Sequence, residues 1–271
     1  MGTEGTLTIV VASCDRYADL LPPFEALWRR YWPHCPYPLV LVTEQVPPDG
    51  ATPSVFTKVI ACGPGLTWGD RLRIALGQIE TPYVLFLCDD YYLEAPVDAA
   101  RFAGRLGQMA RFQAVNLRLI PNPVPQKPFP ADPTLGEYAK NTAYCISTLA
   151  GLWDRRFLLD LLEGCKSIWE FERYGSFKVG NESRPILATR TREFPFVDAV
   201  HKGYWEPFGV AVCRKNGIAI DWTKRGLPPF RIRLIEGIKA LVFACISPTV
   251  IVRIQNRFGW GKKESGSSVV R

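Results

Sequence analysis

Histidine and methionine are scarce, with two of each in 271 residues. The eight cysteines stand singly, at positions 14, 35, 62, 88, 145, 165, 213 and 245, with no C-x-x-C pair among them. That spacing excludes a zinc site of the usual kinds. Several of these cysteines fall inside apolar runs, where a free thiol behaves as a small hydrophobe, so the pattern predicts reduced cysteines in a cytoplasmic protein. No G-x-G-x-x-G follows the first apolar run and no G-x-x-x-x-G-K-[ST] occurs anywhere, which argues against a dinucleotide-binding fold and a P-loop enzyme. There is no internal repeat, and no low-complexity stretch before the Ser/Gly-rich residues after Lys263. The opening MGTEGTLTIVVASCDRY lacks a basic n-region, and its apolar run stops at Ser13 and Asp15. It reads as a first strand rather than a secretory signal. Gly2 and Thr6 match a myristoylation pattern only loosely, and an ordinary N-terminus is expected.

Apolar residues are plentiful, at 47% of the chain with 12% aromatic, enough for a large core. Charge is unevenly placed. Ten basic and two acidic residues lie from Trp222 to Arg271, while the remaining 23 basic and 24 acidic residues leave the body near neutral. A basic end on a neutral body points to a polyanionic partner for that end.

In the first half, apolar runs alternate with helical spacing. Strands are predicted at 7–13, 38–44, 55–62 and 83–88, and helices at 22–32 and 68–79. Near-continuous apolar strands separated by helices imply an α/β fold with a parallel sheet covered on both faces. Farther on, helices are predicted at 97–112 and 155–164, a strand at 114–120, and a proline-rich surface loop at 121–133. Ligands of such sheets bind beyond the carboxyl ends of the strands. The polar residues there are Ser13, Asp15 and Arg16, then Thr43 and Glu44, then Asp89 and Asp90.

The run YVLFLCDDYYLEAP drives six largely apolar residues straight into two adjacent aspartates. Neighbouring carboxylates shielded from water stay ionised only beside a cation or several donors. A divalent cation carrying a diphosphate satisfies both, since Mg²⁺ is commonly held by one or two carboxylates plus substrate phosphate oxygens. A solvated strand-end turn is the competing reading.

WGDRLRIALGQIETPYVLFLCDDYYL resembles nucleotide-sugar glycosyltransferases of the GT-A fold, in which a helix with Asp/Arg near its start precedes a strand ending in a DxD-type motif. Here that motif would be Cys88-Asp89-Asp90, an xDD variant, and VVASCDRY looks like the family's first strand and donor loop. The match runs over residues 7 to 95 and is also similar to a bacterial branch written around DDY or EDY, linked to capsule, lipopolysaccharide and exopolysaccharide assembly. The resemblance implies a Rossmann-like, mostly parallel sheet, a nucleotide-sugar donor and Mn²⁺ or Mg²⁺. It implies donor contacts from Asp15, Arg16, Glu44, Asp70, Arg71 and Asp89, with Asp90 as principal metal ligand and Asp89 touching the sugar or metal-bound water.

Inverting sugar transfer also needs a base for the acceptor hydroxyl. SIWEFERYGS offers Glu170 and Glu172 behind Trp169, a platform for a sugar face. Glu170 is favoured because it directly follows the tryptophan, and Glu172 comes second. In VDAVHKGYWEP, Lys202 is placed against the diphosphate, with His201 beside it, and Trp205 and Tyr204 form a second stacking wall. Basic side chains can replace the metal in related enzymes, and Lys202 with Arg184, Arg190 or Arg192 would serve that role here. Residues 223–263 are apolar but interrupted by Glu236, Lys239 and Pro248. They are too broken for a spanning helix and read as basic amphipathic helices on an anionic membrane surface, before a disordered 264–271. The acceptor is then a lipid-linked or growing glycan, and nucleic acid is not an expected partner. A nucleotidyltransferase would show a Gly-rich loop after the first strand, which SCDRYADLLPP lacks. A non-catalytic membrane-surface adaptor would leave the acidic pair unexplained.

Overall fold

The computed structural model describes residues 5–46, 55–140, 142 and 144–232. The chain begins with β1 (Leu7–Ala12), all six residues buried. A 3-10 helix over Asp15–Leu20 leads into α1 (Leu21–Tyr31), which has proline in its first turn, where the missing N–H costs nothing. Next come β2 (Leu39–Thr43), β3 (Lys58–Ala61), α2 (Trp68–Gly77) and β4 (Tyr83–Cys88). β2 and β4 flank β1 and β3 extends beyond β2, every pair parallel. The register sets Ala12 opposite both Val42 and Cys88. Ser13, Thr43 and Asp89 therefore emerge together at one edge of the sheet.

The second half is mixed. β5 (Tyr91–Leu93), α3 (Ala99–Arg111), β6 (Asn116–Arg118), β7 (Lys127–Phe129) and β8 (Asp132–Glu137) come first. They are followed by β9 (Gly151–Asp154), α4 (Arg155–Leu161), α5 (Ile168–Lys178) and β10 (Ile186–Thr189). The sheet runs β3-β2-β1-β4-β9-β6-β10-β8-β7. β9 is antiparallel to both β4 and β6. The proline-rich segment expected as a loop instead holds β7 and the start of β8. β7 is the outermost strand and Pro128 is exposed there, which is where a sheet accepts a residue that cannot donate.

β11 (Phe196–Asp198) pairs with β5, setting Asp198 opposite Tyr91. β12 (Val200–His201) and β13 (Tyr204–Trp205) form a hairpin, and α6 (Pro207–Lys215) follows. Lys202 and Gly203, both at positive φ, make the hairpin turn, as a two-residue primed turn requires. The chain then returns, so that the Gly226 carbonyl accepts from the Trp205 N–H at 3.0 Å. Of the basic helices expected over 223–263 and the tail 264–271, everything from 233 onward lies outside the described residues.

The starts of α2 and α5 abut. The Trp68 N–H donates to the Lys166 carbonyl, and the Trp68 and Phe171 rings meet edge to face at 5.6 Å. A Cβ on Gly69 would run into the Cys165 carbonyl. The Gly69→Ala variant should therefore lose about 1–3 kcal/mol, seen as a lower urea midpoint. An unchanged midpoint would show that this helix contact is looser than described.

Candidate active site at the carboxyl edge of the sheet

An open cleft of about 410 Å³ lies at the carboxyl ends of β1 and β4. Its floor is Ala12, Ser13, Cys14, Cys88, Asp89 and Asp90, and its walls are Tyr17, Trp68, Arg71 and Ile168. Asp89 and Asp90 are 7% and 3% exposed. The Ser13 hydroxyl donates to Asp89 Oδ2 at 2.6 Å, and the Ala199 N–H donates to the Asp90 carbonyl at 2.7 Å. β11 and the hairpin after it are thereby held directly beneath the pair. The local field is negative. Burial pushes the Cys14 thiol up to about 11, and the charges of Asp89 and Glu44 add to it. Burial also raises the Tyr91 and Tyr92 phenols well above their ordinary value, with Asp90 acting on both, so both rings stay neutral.

Asp15, Glu44 and Arg71 are brought together in one hydrogen-bonded group. Arg71, 2% exposed, donates through Nη1 to Glu44 Oε1 at 2.9 Å and to the Leu66 carbonyl at 3.0 Å. Glu44 Oε2 accepts the Asp15 N–H at 3.2 Å, and Asp15 Oδ1 accepts the Gln45 N–H at 3.1 Å. Arg16 is exposed on the 3-10 helix. Asp70 sits in the first turn of α2, where its carboxylate accepts the hydroxyl of the capping Thr67 at 2.6 Å.

On the opposite wall, Ile168 opens α5 and lines the cleft. Residues four apart share a helix face, so Glu172 lies one turn above Ile168, whereas Glu170 points elsewhere. The Glu170 carboxylate turns back to accept the Lys166 N–H at 2.8 Å, while its own N–H donates to Ser167 Oγ. This is a capping arrangement at the start of α5. Glu172 Oε1 accepts from the Ser147 hydroxyl at 2.9 Å, the Thr148 N–H at 2.9 Å and the Thr148 hydroxyl at 2.8 Å. Three donors on one oxygen fix the carboxylate plane and leave Oε2 for a further partner. Trp169 is 53% exposed and suits an aromatic platform.

The expected roles of Trp205 and Arg184 do not fit their positions, and Arg192 and Lys202 are placed as follows. Trp205 is 0% exposed, packed beside Tyr92 with ring centroids 6.3 Å apart, so it presents no face to a sugar. Arg184 pairs with Glu182 and with Asp154, which stands opposite Tyr83 at the amino end of β4. That is the far edge of the sheet from the cleft. Arg192 pairs with Glu94 at 3.4 Å. Lys202 is exposed in the hairpin turn that follows β12.

Solved structures resemble this chain only distantly. A mannosyltransferase from Pyrobaculum calidifontis, in complex with GDP-Man and Mn²⁺, is 16% identical with a TM-score of 0.46, over 73% of this chain and 58% of that one. TarS 1–349 of S. aureus, in complex with UDP-GlcNAc, is 14% identical with a TM-score of 0.45, over 70% and 57%. A cytidylyltransferase from Leptospira borgpetersenii is 12% identical with a TM-score of 0.43, over 78% and 95%. The chain thus spans less than two thirds of the first two, and the three proteins are named for two different reactions. No protein-family model matches the sequence, and no curated protein matches it.

Two site residues escape sequence reasoning. Tyr17 lines the cleft, yet in SCDRYADLLPP it reads as an ordinary aromatic after a strand. Arg225 reaches the turn after β1, on the Tyr17 side of the cleft, from 206 residues away to bind Asp19, and in sequence it is one basic residue among many in a basic end. The electrostatic coupling at the cleft floor is directly measurable. In native protein Cys14 should alkylate slowly at pH 8, since a thiol with a pKa near 11 is about one part in a thousand thiolate there. Replacing Asp89 by Asn removes a negative neighbour and should lower the Cys14 pKa. Peptide-mapped alkylation rates that do not change in that variant would contradict the placement of the two groups.

Proposed function

We propose that this chain is a glycosyltransferase that moves a sugar, with inversion, from a nucleoside-diphosphate donor to a hydroxyl of a lipid-linked or growing glycan in bacterial surface-polysaccharide synthesis. The observation that carries the reading is the buried Asp89–Asp90 pair on the floor of an open cleft. Burying two adjacent carboxylates is costly unless positive charge accompanies them. Two carboxylates fit Mn²⁺ or Mg²⁺, which takes its remaining oxygens from a diphosphate and water. Asp90 and Asp89 would hold that ion. Its contribution when bound is to neutralise charge on the departing diphosphate.

The chain's own groups supply the rest. Arg71 and the Asp15–Glu44 pair border the nucleotide side, and Trp169 offers an acceptor sugar a flat apolar face. Of the two glutamates on α5, we assign the base to Glu172, because Glu170 is engaged in capping. Glu172 takes the proton of the acceptor hydroxyl as that oxygen bonds to the anomeric carbon. The bond from that carbon to the diphosphate breaks, and the nucleoside diphosphate leaves. Ser147 and Thr148 keep the carboxylate in place through the step.

Transfer from sugar-nucleotide donors with Mn²⁺ tests this directly. Asp90→Ala should lose at least a hundredfold in kcat/KM. Glu172→Gln should lose about 10²–10⁴-fold in kcat, while Glu170→Gln stays within about fivefold. Full activity of both Asp90→Ala and Glu172→Gln would remove the mechanism. Pyrophosphate release from a nucleoside triphosphate, with no sugar transfer, would replace the reaction class.

The site of action we propose is the cytoplasmic face of a membrane. Phe208, Trp222, Leu227 and Phe230 are 74%, 49%, 53% and 70% exposed, and Lys224 and Arg231 are exposed among them. Residues 233–271 add seven basic and two acidic residues to this end of the chain. No helix among the described residues is long and apolar enough to cross a membrane. Apolar side chains flanked by cations suit an anionic interface, at about 1 kcal/mol per basic residue near the surface. The full chain should float with phosphatidylglycerol vesicles and not with phosphatidylcholine vesicles, and a Phe208→Ser, Phe230→Ser double variant should bind at least tenfold more weakly. Equal flotation with both lipids would overturn the assignment.

A further inference from the structure

We propose that Arg225 is a positioning residue of the donor site, clasping the 3-10 helix that carries Tyr17 so that this wall is preformed when a nucleotide arrives. The inference rests on the donor-site reading above. The turn over Asp15–Leu20 is pinned at both ends. At its start, the Asp15 N–H donates to Glu44 and the Asp15 carboxylate accepts from Gln45. At its end, Arg225 grips Asp19 through two parallel bonds, Nη2 to Oδ1 at 2.5 Å and Nε to Oδ2 at 2.9 Å. The paired side chains are only 5% and 9% exposed. Nη2 also donates to the Arg16 carbonyl at 3.3 Å. The guanidinium lies 4.5 Å from the centre of the Tyr17 ring.

A planar fork on a carboxylate, stacked on an aromatic ring, fixes orientation in a way that a lysine ammonium does not. Between its pinned ends the turn exposes Asp15, Arg16 and Ala18, and it buries Tyr17 against the cleft. Without the clasp, the ordering of these residues would fall on the binding step and weaken it. The arginine charge also acts on Asp89, so the clasp stands close to the cleft's acidic floor. The segment after α6, which returns beside Trp205, is thereby part of the donor site.

The experiment uses the full chain and four nucleoside diphosphates, UDP, GDP, CDP and ADP, each with Mn²⁺, in calorimetric titration below the melting temperature. If none binds the unaltered chain, the donor-site reading itself fails and the proposal fails with it. With a binding diphosphate in hand, Arg225→Gln and the gentler Asp19→Asn should each weaken it at least tenfold. In turnover with the matching sugar nucleotide, donor KM should rise at least tenfold, while kcat and acceptor KM stay within threefold. Arg225→Lys should not restore donor affinity. A Kd unchanged in both Arg225→Gln and Asp19→Asn, whatever their melting temperatures, would reduce Arg225 to a stabilising contact and overturn the proposal. So would recovery of wild-type affinity by lysine.

Discussion

The cleft is organised by the cost of placing two negative charges where water is scarce. Asp89 and Asp90 close a strand whose last five residues are all buried. They sit beside the hydroxyl of Ser13, just after β1, and above the backbone of the 196–201 segment. Two arginines at the rim are each held by a carboxylate of their own, Arg71 by Glu44 and Arg225 by Asp19.

The rim pairs have a consequence of their own. Both are long-range ties between loops that follow different strands or helices. Arg71 on α2 holds the loop after β2, and Arg225 holds the turn after β1 from the far end of the described chain. Loops at the carboxyl edge of an α/β sheet carry function and are otherwise the least ordered parts. Charge-assisted bonds among buried groups stiffen them without closing the cleft. Arg118 does the same work farther along the chain. Fully buried, it donates to the Asn122, Tyr144 and Cys145 carbonyls. That orders the segment whose Ser147 and Thr148 hold Glu172.

Helix geometry gives the two glutamates of α5 different partners. Residues two apart point about 200° apart around a helix axis, so Glu170 and Glu172 leave α5 in different directions. Adjacency to Trp169 favours Glu170 when only sequence is read. Once α5 packs with Ile168, Phe171 and Gly175 inward, Glu172 falls on the side that faces the body, and Glu170 is free to cap the helix start. The same logic demotes Trp205. An aromatic pair in a hairpin reads equally as platform or core, and a backbone hydrogen bond to the returning chain at Gly226 accompanies the tryptophan's burial.

The parallel β3-β2-β1-β4 half and its helices were legible in the sequence, because fully buried strands write themselves as unbroken apolar runs and amphipathic helices as a 3.6-residue period. The strand-end acids were legible for the same reason, since a run that stops abruptly at charge marks the sheet edge. Three things were not. The order of β9, β6 and β10 and the edge hairpin around Pro128 depend on pairings distant in sequence, which local pattern does not encode. Which carboxylate caps α5 and which bonds to Ser147 and Thr148 depends on how α5 rotates against its neighbours. The partnership of Arg225 with Asp19 joins residues 206 positions apart, a contact that exists only because the chain after α6 folds back over the turn that follows β1. Local chemistry determined where charge would emerge, and tertiary packing alone decided which charges meet.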